Sequence, residues 1–263
     1  MTQNAVKRKG IIPNETRWNT SGSAKKFLNG KKYSLCSIEE QENLPDGFCR
    51  PDSDVFDVIG SLIPDLNHFN IAKFTRIVEV AFECDGSITA SSLKQSRRLF
   101  SAIRDACNGV GGGFRRRFNG SPVEIGDVID GTFKSAIECS DEMTNAERIT
   151  KLHPIFGRSV QGACDGMFNG RPVEVKSINS FSQSNIRRTL EGNSLQFAAY
   201  NWLYGEVPII VIVSRDSLKI DVVEPTYDLV EEAMLTWSTW TDGISNKTSS
   251  GSVIPTRMSS PVK

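Results

Sequence analysis

The stretch GACDGMFNGRPVEVKS, residues 162–177, decides how the chain is read. At its centre, Asn169-Gly170 is the dipeptide favoured in two-residue hairpin turns, where both residues must accept positive φ. The flanking segments, Arg158–Phe168 and Pro172–Ser177, are therefore expected to be paired strands. On a strand, residues i and i+2 leave the same face, so Glu174 and Lys176 point together while Val173 and Val175 point to the other side. Closing the turn folds the first strand back and carries Asp165 towards Glu174. Two carboxylates and an ammonium then share one small site.

Side-by-side carboxylates repel, and a buried ion costs several kcal/mol even after relaxation. A divalent cation resolves the conflict, because Mg²⁺ accepts one or two carboxylates together with water and phosphate oxygens. Such an ion lowers the pKa of a bound water and neutralises charge on a phosphorus under attack. Lys176 would position the attacking water or stabilise the developing charge. A solvated surface hairpin with a salt bridge is the competing reading of a bare D-x8-E-x-K pattern. Val173 and Val175, with the apolar run at 207–214, favour a central strand, where unpaired charge is hard to tolerate.

Working outward, Val207–Ser214 (VPIIVIVS) is continuously apolar, as a strand covered on both faces would be. Leu218–Val223 follows across the turn Arg215-Asp216-Ser217, and Asp228–Trp240 reads as a closing helix. Asn193–Tyr204 is a helix that stops at Gly205; Gln196 and Tyr200, four apart, share a face beside the stripe Leu195, Ala199 and Trp202. From the pattern alone, that polar edge is equally that of an ordinary amphipathic helix.

Upstream, helices are expected over Asp54–Ile63 (ending at Pro64), Asn70–Cys84, Thr89–Cys107, Asp127–Ser140 and Ser140–Leu152. The Gly-rich connector at 109–120 lacks the GxxxxGK[ST] phosphate pattern and reads as a loop. FNGSPVEIG (118–126) echoes FNGRPVEVK (168–176), a likeness that chance explains for nine residues. Helices followed by strand–strand–helix–strand–strand–helix predict an α/β or α+β fold, a central mixed sheet flanked by helices with a helical N-terminal half. The expected organisation is a basic flexible arm at 1–32, one domain at 33–241 (helical region about 50–140, site-bearing core about 141–241) and a flexible tail at 242–263.

Lys and Arg total 31, as do Asp and Glu, so bulk charge selects no partner; local patches say more. Residues 1–32 carry eight basic side chains against Glu15 alone, and further basic knots stand at Arg97-Arg98, Arg115-Arg116-Arg117 and Arg187-Arg188. These patches suit a phosphate backbone, with solvated surface charge as the alternative. The six cysteines form no CxxC pair, which disfavours a zinc ribbon or disulfide framework and suits reduced intracellular thiols. No apolar run is long enough for a membrane span, and the first twenty residues lack a secretory apolar segment.

From about residue 150 to 225 the chain resembles the PD-(D/E)XK nuclease superfamily, in particular its RecB-like and lambda-exonuclease-like (YqaJ-type) branches. The resemblance rests on Asp165, then Glu174-Val175-Lys176, then Gln196-Phe-Ala-Ala-Tyr200, in that order. The lead-in His153-Pro154 … Gly162-Ala-Cys-Asp165-Gly166 is similar too, although Ala163-Cys164 replaces the usual Ser-Pro. It implies a restriction-endonuclease-like core and an Mg²⁺-dependent nuclease, with Mn²⁺ as substitute, held by Asp165, Glu174 and the Val175 carbonyl. Lys176 would be the catalytic lysine, and Gln196 and Tyr200 would hold the site or the strand. A further upstream ligand is expected, with His68, Glu79, Glu124, Glu138 and His153 all open, Glu138 and His68 foremost. DNA, as duplex ends or single strand, is the implied substrate, contacted by Arg115, Arg116, Arg117, Arg187 and Arg188. The activity would be exonucleolytic, in recombination, repair or phage and viral genome processing, with a homo-oligomer or a recombination protein as partner. Some relatives carry an iron–sulfur cluster on cysteines after the core; none follows Cys164, so no cluster is expected. Two alternatives remain: an RNA endonuclease of cap-snatching type on the same core, and an inactive nucleic-acid-binding module.

Overall fold

The computed structural model of the chain describes residues 16–19, 28, 30–69, 75–78, 88–89, 122–153 and 158–235. Its centre is a mixed sheet whose strands run in the order β2 (Ser34–Leu35), β12 (Lys219–Pro225), β11 (Ile209–Ser214), β10 (Arg171–Ile178), β9 (Gly166–Phe168) and β6 (Met143–Thr144). Strand β3 (Phe48–Cys49) pairs with the far end of β12. Strands β10 and β11 are parallel, and the crossover between them carries helices α4 (Gln183–Glu191) and α5 (Ser194–Tyr204). Helices α1 (Ser53–Ser61), α2 (Ile63–His68) and α3 (Pro122–Glu138) precede the central strands, and a last helix, α6, covers 227–235. The architecture is thus the mixed sheet flanked by helices that the element order predicts. A three-stranded sheet joins β5 (Ile88–Thr89), β8 (Arg158–Gly162) and β7 (Ile149–His153), and a two-stranded one joins β1 (Thr16–Asn19) to β4 (Thr75–Val78). Among the described residues no helix is long and apolar enough to cross a membrane.

Alternation along the central strands sorts the core into two layers. Val173, Val175, Val211, Val213, Ile220 and Val222 pack with Val58, Ile59, Leu66, Ile129 and Phe133 of α1–α3. Ile178, Ile210, Ile212 and Val223 pack on the opposite face with Ile186 and Leu190 of α4 and Phe197 of α5. Register aligns Glu174 with Ile210 and Lys176 with Ile212, so both charged residues belong to the α4–α5 face. Every residue of β11 is buried, as its uninterrupted apolar sequence requires.

The Asn169-Gly170 turn forms as expected, with φ of 48° and 81° and Phe168 opposite Arg171. Gly205, at φ 89°, ends α5 by donating its N–H to the Asn201 carbonyl. Three expectations are corrected. Ser140–Leu152 is not a helix: Ser140 Oγ accepts the N–H groups of Glu142 and Met143, each at 3.1 Å, as in a helix cap, but no helix follows, because sheet ladders take the chain. Met143–Thr144 and Ile149–His153 then pair with β9 and β8 as strands. Within Asn70–Cys84, Thr75–Val78 is a strand paired with Thr16–Asn19, and the remainder lies outside the described residues. Pro64 does not close the first helix but occupies the first turn of α2, where a missing N–H costs nothing. Of the helix expected over Thr89–Cys107 only Thr89 is described, and it pairs with β8. The echo of 118–126 and 168–176 is not structural: Pro122–Gly126 is helical where Pro172–Lys176 is a strand.

Two ion pairs, Lys219 with Glu40 and Arg50 with Asp221, fasten the 36–50 segment to β12. Arg50 pairs with Asp221, a side chain 1% exposed on β12, and donates to the carbonyls of Val222 (3.3 Å) and Glu42 (3.0 Å). Burial pushes the Asp221 carboxyl up and the Arg50 charge opposes it. Arg50→Met should leave that carboxylate uncompensated and lower the unfolding free energy by about 3 kcal/mol. Arg50→Met/Asp221→Asn should recover most of the loss in urea denaturation; equal losses in both variants would mean that Arg50 acts by packing alone.

Candidate functional site

The site begins where β9 stops. Its pairing with β10 runs from Phe168↔Arg171 to Gly166↔Val173, and residues 174–178 of β10 continue past it. Asp165 occupies the next position: its N–H donates to the Val173 carbonyl at 2.8 Å, and its Oδ2 accepts the Val175 N–H at 2.8 Å. The side chain thus caps an amide that another strand would otherwise bond. A strand residue presents its N–H and C=O to the same side, so the Val175 carbonyl faces the same edge as Asp165.

Glu174 and Lys176 are 5% and 9% exposed and form an ion pair on the α4–α5 face of β10. Helix α5 completes the cluster. Gln196 Nε2 donates to Glu174 Oε1 at 2.9 Å and to the Tyr200 hydroxyl at 3.0 Å. Tyr200 in turn donates to the Ala163 carbonyl at 3.1 Å, in the bend between β8 and β9. The sequence predicts one strand over Arg158–Phe168; the structure breaks it at Ala163–Asp165 and assigns its halves to different sheets. Tyr200 holds this break, so a continuous path of hydrogen bonds joins the turn bearing Asp165 to the Glu174 carboxylate. Gln196 Oε1 is buried and has no hydrogen-bond partner among the described residues.

Helix α3 forms the other wall. Gly126 permits the approach, since a Cβ there would stand 2.8 Å from Ser177 Oγ. Two turns on, Lys134 Nζ lies 3.1 Å from Asp165 Oδ1. Burial alone would push the Lys176 ammonium down; the charges of Glu174 and Asp165, with a smaller one from Asp130, outweigh it and raise its pKa above the usual lysine value. Burial, then the same two carboxylates, keep the Tyr200 phenol well above its ordinary range, so it remains a donor. Burial pushes the neighbouring Cys164 thiol up to about 11, which makes it a poor nucleophile.

Asp165, Glu174, Val175, Lys176, Gln196 and Tyr200 are therefore brought together from three separate stretches of chain. Glu138 and His68 are not: Glu138 is exposed at the end of α3, and His68 is exposed at the end of α2 with its ring against Phe69. Neither makes a hydrogen bond or ion pair to the cluster residues. Glu79 and the side chains of Glu124 and His153 lie outside the described residues, as do Arg97, Arg98 and Arg115–Arg117. Arg187 and Arg188 are exposed on α4, Arg187 facing Glu191 at 3.6 Å. Asp130 and Lys134 went unseen in the sequence. Their i, i+4 spacing on a predicted helix was the available signal, but nothing local says which helix face meets β10.

The donors at this edge are two carboxylates and a backbone carbonyl, hard oxygens of the kind that Mg²⁺ takes in small number alongside water and phosphate. Here the carboxylates carry the ammonium groups of Lys134 and Lys176 instead. Among the described residues no three His, Cys, Asp or Glu side chains close on one point, so a cation here would complete its shell from Val175 and non-protein oxygens.

No protein-family profile and no curated protein matches the chain. Among solved structures, the crystal structure of SSO0001 is similar at 13% identity and a TM-score of 0.41, over 74% of this chain and 86% of its own, a likeness too slight to bear on function.

If the Tyr200 hydroxyl fixes the break, Tyr200→Phe should release the Ala163 carbonyl to solvent and leave one buried Gln196 donor unpaired, at a cost of about 1–3 kcal/mol in chemical denaturation. A variant as stable as the parent would remove Tyr200 from this role.

Proposed function

We propose that the chain is a metal-dependent nuclease of the PD-(D/E)XK superfamily, in its RecB-like and lambda-exonuclease-like branch, hydrolysing DNA from ends. One observation carries this reading: Asp165, the Val175 carbonyl, Glu174 and Lys176 meet at the open half of one strand, with Gln196 and Tyr200 of the following helix bonded into the same cluster. A surface hairpin would leave these charges in water; here Glu174 and Lys176 are both buried, which demands a reason beyond solubility.

In this reading Asp165, Glu174 and the Val175 carbonyl hold Mg²⁺, or Mn²⁺ in its place. When bound, the ion supplies Lewis-acid charge and a lowered pKa for water. Lys176 is fixed by its buried setting and by Glu174, so it presents a stationary positive charge where charge develops on the phosphate. Gln196 holds the Glu174 carboxylate in place through the carboxylate's Oε1. Tyr200 acts at one remove, through the Ala163 carbonyl and the bend that sets Asp165. Asp130 on α3 adds a smaller negative charge that helps keep Lys176 protonated. Arg187 and Arg188, exposed on α4, supply backbone phosphate contacts.

The test incubates the full chain with Mg²⁺ or Mn²⁺ and four labelled substrates: linear duplex DNA, covalently closed circular DNA, single-stranded DNA and single-stranded RNA. Linear DNA should be degraded and closed circles spared, with Lys176→Ala and Asp165→Ala each slowing cleavage by about 10²–10³-fold or more. Cleavage at the parent rate by either variant sinks the assignment. Preferential cutting of RNA would transfer the site to the RNA-endonuclease reading.

A further inference from the structure

The two lysines at this site are held in different ways. Lys176 is buried on β10 and bound to Glu174. Lys134 reaches in from α3 on a long side chain that is 45% exposed, and its ammonium meets Asp165 Oδ1 at 3.1 Å. Asp165 has little solvent of its own, being 12% exposed, and its other oxygen is committed to the Val175 N–H. The Lys134 ammonium therefore supplies counter-charge at the oxygen of Asp165 that the backbone does not use. A divalent cation bound to that oxygen and Lys134 cannot both sit there, since like charges at such range repel strongly in a partly dehydrated site. The flexible four-carbon stem, anchored in a helix and open to solvent, lets the ammonium leave without disturbing α3.

We propose that Lys134 is a displaceable counter-ion and phosphate contact. It neutralises Asp165 until a divalent cation loads, and the released ammonium then engages the phosphodiester backbone of the bound nucleic acid. The inference rests on the metal site proposed above and gives its two lysines separate duties: one stationary beside the reaction, the other exchanged between carboxylate and phosphate.

The experiment uses the full chain, Lys134→Met and Asp165→Ala, with circular dichroism to establish that all three are folded. Mn²⁺ alone is titrated by calorimetry, and a DNA oligonucleotide is titrated by fluorescence anisotropy across a salt series, with Ca²⁺ or with EDTA. Lys134→Met should bind Mn²⁺ about three- to tenfold more tightly than the parent, because the competitor is gone. With Ca²⁺ it should bind DNA more weakly, its salt slope smaller by about one; with EDTA the slopes should coincide, since Lys134 is then held by Asp165. Unchanged or weaker Mn²⁺ affinity, or equal salt slopes with Ca²⁺, overturns the role of Lys134. If Asp165→Ala abolishes Mn²⁺ binding while Lys134→Met behaves as the parent, this inference alone falls. If the parent binds no Mn²⁺, or Asp165→Ala binds it equally well, the metal site itself fails and this role fails with it.

Discussion

The site depends on one hydrogen bond, from the Val175 amide to the Asp165 carboxylate. Strand β9 ends opposite Val173, and β10 runs on for five residues that β9 does not pair. Unpaired amides and carbonyls at a sheet edge are costly to bury and invite foreign strands. A carboxylate answers the amide and leaves the carbonyl beside it, so a single side chain converts a sheet edge into an oxygen-lined notch. Everything else serves that placement: the bend at Ala163–Asp165, Tyr200 holding the bend, Gln196 joining Tyr200 to Glu174, and Gly126 letting α3 close the far side.

Much of this was legible in the sequence because its determinants are local. Asn169-Gly170 dictates a turn through its positive φ values, and Gly205 dictates a helix end for the same reason. The apolar run at β11, short and rich in β-branched residues, reads as a strand with both faces covered. Strand periodicity placed Glu174 with Lys176, and helical periodicity placed Gln196 with Tyr200.

What escaped the sequence was decided by partners. Pro122-Val-Glu-Ile and Pro172-Val-Glu-Val are nearly the same words, yet the first opens a helix and the second a strand. The second follows a tight turn and lies against a buried parallel neighbour. The charge pattern of Ser140–Leu152 suits a helix dipole, but β9 and β8 offer ladders that Met143–Thr144 and Ile149–His153 take instead. Helix α4, with only Ile186 and Leu190 buried along a polar sequence, carries too few apolar residues to stand out as a core helix. Asp130 and Lys134 share this fate at the site: local sequence gives a helix but not the face it turns towards β10.

The same bond makes the Val175 amide a built-in reporter. Its neighbours on β11 are locked in ladders on both sides, so their protons exchange with solvent only when the sheet opens. Val175 is different, because its proton is guarded by a side chain that can rotate or be drawn elsewhere. Its chemical shift and exchange rate would therefore follow the state of Asp165 directly, without any substitution in the chain.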